Sequence, residues 1–81
     1  MSYFITLRSV TYAQRGERAL RQAGIWCELQ RTPRWMEEKG CGYSLVVRHP
    51  GNALEVLRQK QVPYRKVYRR GADGTMEEVV G

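Results

Sequence analysis

Apolar and polar residues alternate from the start of the chain. Tyr3, Ile5 and Leu7 share one parity, and Phe4, Thr6 and Arg8 share the other. A period of two predicts a half-buried strand. Ser9 follows with a hydroxyl suited to capping the first N–H groups of a helix. Val10, Ala13, Gly16 or Glu17, Leu20 and Ala23 then recur at helical spacing, and Gly24 supplies a left-handed stop. Glu17 and Arg21 stand one turn apart on the wet side. This helix leans on small residues, so it must pack closely on something flat.

The alternation resumes from Ile25 to Thr32, with Ile25, Cys27 and Leu29 opposing Trp26, Glu28 and Gln30, and Pro33 ends it. The segment Arg34 to Gly40 is polar and closes on Gly40-Cys41-Gly42. Tyr43, Leu45 and Val47 oppose Ser44, Val46 and Arg48 in a third strand. His49-Pro50-Gly51-Asn52 opens a second helix, with proline in its first turn. Ala53, Leu54 and Leu57 carry the apolar face of that helix to about Lys60. A fourth strand runs from roughly Val62 to Arg69, with Pro63 at its start, where a missing N–H does least harm. Ala72-Asp73-Gly74-Thr75 signals a turn. Thr75 to Val80 fits a short fifth strand and a loose tail equally well.

The order β-α-β-β-α-β, with two right-handed crossovers, predicts an α+β fold of the ferredoxin-like kind. Its four-stranded antiparallel sheet would carry two helices on one face, with an extra C-terminal strand as an open alternative. Residues 1–70 would form this domain, and residues 71–81 a hairpin strand or a flexible tail. Strands one and three should lie side by side in the centre, with Ile5, Leu7, Leu45 and Val47 under both helices. Leu20 and Leu57 should be buried. The halves repeat weakly: Ala23-Gly24-Ile25-Trp26 after the first helix mirrors Gln61-Val62-Pro63-Tyr64 after the second. The helix-free sheet face falls to Phe4, Thr6, Trp26 and Val46. Such a partly apolar patch suits a partner protein or a homodimer through the sheet face.

Composition narrows the function. At 81 residues the chain is one small domain, and its 42% hydrophobic content is too high for a disordered tail. The formal net charge of +6 invites anionic partners without choosing among them. The apolar runs are too short for a transmembrane helix, and the first residues lack the layout of a signal peptide. Two cysteines are too few for a disulfide scaffold, which predicts reduced thiols in a cytoplasm. With His49 and Asp73 the sole residues of their types, a Ser-His-Asp triad is disfavoured, and two cysteines with one histidine make a poor zinc set. No metal or cofactor is expected.

Cys41 lies between two glycines, which uncover the sulfur and let backbone N–H groups point at it. Lys39 and Arg34 share the loop, and positive charge favours thiolate, the nucleophilic form. The same pattern also fits a small residue at a strand start whose glycines serve a turn. Cys27 shares parity with Ile25 and Leu29, which suits a core cysteine; the other reading is a second, resolving thiol. A regular hairpin sets Cys27 opposite the middle of strand three. His49 reads as a helix start. Arg15, Arg18 and Arg21 read as a solvated helix face or as a site for phosphate or an acidic partner. Arg65, Lys66, Arg69 and Arg70 read as a charged edge on the last strand that discourages aggregation.

RNA recognition domains share this topology, with a third-strand signature of basic-Gly-aromatic-small-aromatic-Val-any-aromatic. Here the stretch is Cys41-Gly42-Tyr43-Ser44-Leu45-Val46-Val47-Arg48. The second stacking ring is missing, and that alignment would turn Arg48 toward the core at a high desolvation cost. Nucleic acid is therefore disfavoured.

Several segments together resemble the putative selenium/sulfur carrier protein-like family. They are Phe4 to Arg15, Ala23-Gly24-Ile25-Trp26-Cys27, Thr32-Pro33-Arg34 and Cys41-Gly42-Tyr43-Ser44-Leu45, and the likeness spans about Tyr3 to Tyr68. Members of that family are small bacterial proteins, or terminal domains beside TusA-like sulfur-carrier domains in selenium-metabolism proteins. The resemblance implies a sulfur or selenium carrier that holds a persulfide or perselenide on Cys41, supported by Gly40, Gly42, Lys39 and Arg34. The implied partners are a donor such as a cysteine desulfurase and an acceptor protein. This is the role of a carrier or accessory protein rather than of an enzyme with its own turnover. Two departures stand out. Glu38-Lys39-Gly40 replaces the family's small polar residues, and Tyr43-Ser44 replaces its aliphatic-Ala pair. The Cys-Pro-any-Pro motif of TusA-like carriers is absent from the chain. The alternative function is a regulatory or adaptor domain that binds a protein through the open sheet face.

Overall fold

The computed structural model describes residues 2–31 and 42–79. Its elements are β1 (Ser2–Leu7), α1 (Val10–Gln22), β2 (Cys27–Arg31), β3 (Tyr43–Val47), α2 (Pro50–Gln59), β4 (Tyr64–Arg70) and β5 (Met76–Val79). The fold is α+β, with two helices and a five-stranded antiparallel sheet ordered β2-β3-β1-β4-β5. β1 and β3 are neighbours, as the pattern predicts. The four-stranded expectation is corrected at one edge, where β5 pairs outside β4 and makes β1 the middle strand.

That correction has a cause in charge. Arg69 lies opposite Glu77 in the β4–β5 ladder, and its guanidinium reaches the carboxylate at 2.8 Å. Lys66 meets Glu78 at 3.3 Å. The basic cluster on β4 is therefore not a charged edge; part of it is the template for the next strand. The intervening turn is tied by Asp73, whose carboxylate accepts from the Thr75 N–H at 3.1 Å and hydroxyl at 2.7 Å. Those bonds hold the Asp73 pKa below its ordinary value.

Ile5, Leu7, Leu45 and Val47 lie under the helices in one cluster with Ala13, Leu20, Ala53 and Leu57. Ser9 caps α1 by accepting from the Tyr12 N–H at 3.2 Å. Gly16 shows why small residues serve this helix. A Cβ there would sit 2.8 Å from a Leu45 methyl and 3.1 Å from a Leu57 methyl.

Both helices stop in the same way. After α1, the Ile25 N–H reaches the Leu20 carbonyl at 2.9 Å and the Gly24 N–H reaches Arg21 at 3.1 Å. After α2, the Val62 N–H reaches Leu57 at 2.8 Å and the Gln61 N–H reaches Arg58 at 3.1 Å. Each is a Schellman stop with an apolar residue following the left-handed one. Gly24 takes that position at φ 74° without strain, whereas Gln61 takes it at φ 58°. The internal repeat is thus offset by one residue from the sequence alignment: Gly24 matches Gln61, and Ile25 matches Val62.

β4 carries an irregularity that alternation does not reveal. Ile5 pairs with Val67 and Leu7 with Tyr64, so Arg65 and Lys66 together oppose Thr6. The Thr6 hydroxyl fills the gap, accepting from the Lys66 N–H at 3.0 Å and donating to the Lys66 carbonyl at 3.2 Å. This bulge lets Tyr64 and Val67 both pack against the helix-side core. Thr6→Val keeps the shape but removes these bonds. It should cost about 1–3 kcal/mol in urea denaturation, and an unchanged midpoint would show that the hydroxyl is dispensable.

The helix-free face is not the open apolar patch the sequence suggests. Phe4 and Val46 are each 4% exposed, and Thr6 and Ser44 are also buried. Tyr68 from β4 and Met76 from β5 pack over Phe4 and Val46. Of the residues assigned to that face, Trp26 is the exposed one, at 47%.

Candidate functional site

Cys27 heads β2 and pairs with Val47, the last residue of β3 rather than its middle. Its side chain belongs to the helix-side core. The thiol donates to the Glu17 carbonyl oxygen at 3.7 Å. Burial pushes the Cys27 thiol up from its ordinary 9.0, the Arg21 guanidinium pulls it down, and the Glu17 carboxylate adds to the rise. Arg21 and Glu17 are themselves paired at 3.3 Å. The arrangement keeps Cys27 protonated and covered, which is poor chemistry for a nucleophile.

The sign of the resulting pH dependence follows from linkage. A raised folded value means that the native state keeps a proton which the unfolded chain releases. The associated stability is complete below the unfolded thiol value and is lost as pH rises through the folded one. Cys27→Ala should flatten the alkaline fall in stability above about pH 9, measured by urea titration across that range. An identical slope in both proteins would contradict this.

At the opposite end of the β2–β3 ladder Arg31 pairs with Tyr43, about 13 Å of strand away from Cys27; the other candidate residues come between Arg31 and Tyr43 in the sequence. Gly42 immediately precedes Tyr43 and is half-buried. Arg34, Lys39, Gly40 and Cys41 lie outside the described residues.

Two further features stand out, one of them unforeseen in the sequence. The Arg48 guanidinium stacks 4.6 Å from the centre of the Trp26 ring, just beyond the Cys27–Val47 pair. Both residues sit on the polar parity of their strands, so hairpin register could have joined them. The second is a basic furrow, in which Arg15 and Arg18 of α1, already candidates for an acidic partner, are joined by Lys60 at the end of α2. Among the described residues, no three His, Cys, Asp or Glu side chains gather as metal ligands, and no helix is long and apolar enough to cross a membrane.

The described residues thus form a small α+β domain with Cys27 in its core. Residues 2–69 match the family described as putative Se/S carrier protein-like, and the chain belongs to that family. The matched span includes both cysteines. The chain has no match among curated proteins or among solved structures.

Proposed function

We propose that this protein carries sulfur or selenium as a persulfide or perselenide on Cys41 and passes it between proteins. One observation carries the reading: in a chain with two cysteines and a match to a Se/S carrier family, Cys27 is buried with a raised pKa. Cys41 is then the thiol left for the chemistry. In the loading step the Cys41 thiolate attacks the outer chalcogen of a donor persulfide. The donor S–S bond breaks, the donor cysteine leaves as thiolate, and Cys41 holds S–SH. With a perselenide donor the S–Se bond breaks and Cys41 holds S–SeH. Discharge repeats the exchange toward an acceptor thiolate, and neither step needs an outside oxidant or reductant.

The donor in this account is a cysteine desulfurase or another persulfide protein, and the setting is a reducing cytoplasm. The strand order β2-β3-β1-β4 supports a ferredoxin-like sandwich with one strand added. The adaptor and homodimer readings lose support because Phe4 and Val46, their proposed contact residues, are covered.

A pulse-chase with radiolabelled cysteine and a desulfurase tests carriage itself. Label should appear on the protein and leave when an acceptor thiol is added. Label that never leaves would make the protein a dead-end target rather than a carrier.

A further inference from the structure

We propose that the furrow between α1 and the end of α2 docks an acidic segment of a partner protein; on the carrier reading, that partner is the donor or the acceptor. The furrow is lined by Arg15, Arg18, Ala19, Gln22, Lys60 and Val62. Arg15 and Arg18 are three apart on α1, and Gln22 extends the row by one turn. Lys60 closes it from the C-cap of α2. Ala19 and Val62 form a floor at 6% and 3% exposure.

Four cations elsewhere on the domain are already paired. Arg21, Arg58, Lys66 and Arg69 each meet a carboxylate of this chain. Among the described residues, Arg15, Arg18 and Lys60 meet none, and Arg15 touches only the Tyr12 ring, at 5.9 Å. Three cations without acids around one apolar floor are complementary to carboxylates borne on aliphatic stems. The guanidinium forks of Arg15 and Arg18 suit bidentate carboxylates, and the floor takes the methylenes. Single-stranded nucleic acid fits less well, because no lining residue is a ring on which a base can stack.

The test maps amide shifts of the Cys41→Ser protein during titration with capped oligo-glutamate, and in parallel with oligo-uridine. Oligo-glutamate should shift Arg15, Arg18, Gln22 and Lys60, and the effect should fade with salt. The pair Arg15→Glu and Arg18→Glu, both on exposed positions, should weaken binding roughly tenfold or more at low salt with melting unchanged. Shifts centred elsewhere, no saturable shifts, or tighter oligo-uridine binding in the furrow would overturn the proposal. Because the titration omits Cys41, the two ideas fail separately. An unloadable Cys41 ends the carrier reading and leaves the docking surface standing, and a silent furrow does the reverse.

Discussion

Leu57→Ala should cost about 2–5 kcal/mol of folding stability, and Leu20→Ala a comparable amount. Both side chains are fully buried. Both also occupy the same place in the two helix stops, since each carbonyl receives the N–H of the apolar residue that closes the turn. Truncating either empties the space beneath a Schellman stop and loosens the contact that fixes the chain's entry into the next strand. At Leu57 the loss is compounded by α1, because a Leu57 methyl fills the approach left open by Gly16. The opposite wall is Leu45 on β3, held by ladders to β1 and β2 on both sides. The cavity can therefore collapse little. A domain of this size has a total stability of roughly 4–12 kcal/mol, so either variant should lose a large share of it. Urea denaturation measures the effect. A loss under about 1 kcal/mol would mean that the site repacks and that the leucines beneath the two stops are dispensable.

The second large effect is in thiol reactivity. In the folded protein, Cys27 should alkylate at least roughly a hundredfold more slowly than Cys41 near neutral pH. Cys27 is penalised twice: burial raises its pKa, and access requires α1 to lift from β2. In denaturant the two thiols should react at similar rates. Peptide-resolved mass spectrometry after a short pulse reads the order directly. Comparable labelling of Cys27 in the native state would mean that the core around Glu17 and Arg21 opens freely, and the elimination behind the proposed function would fail.

Much of this was legible in the chain. Strict alternation at Tyr3 to Leu7 and Tyr43 to Val47 placed Ile5, Leu7, Leu45 and Val47 under the helices, because those four side chains are committed to the core, while Tyr43 on the same parity stays exposed at the strand's start. Ser9 and Gly24 marked the ends of α1, because each supplies a bond or dihedral that few other residues supply. The bulge at Arg65-Lys66 was hidden, since it depends on a hydroxyl sixty positions away in the chain. β5 was ambiguous because Met76-Glu77-Glu78-Val79 alternates too weakly to choose a face alone. Its partner's charges decide, and so does the cover that Met76 gives Phe4 and Val46. The same cover defeated the expectation of an open sheet face. At the candidate site, the parity of Cys27 predicted its burial. The importance of Cys41 came from residue context and family pattern rather than from periodicity.

The measurement that bears most directly on the central claim is intact mass after exposure to glutathione persulfide. It should be made on wild type, Cys27→Ala and Cys41→Ser, with folding verified for each. Wild type and Cys27→Ala should each gain one sulfur atom, removable by a thiol reductant, while Cys41→Ser gains none. Sulfur that follows Cys27, or a folded wild type that gains none, would contradict the account.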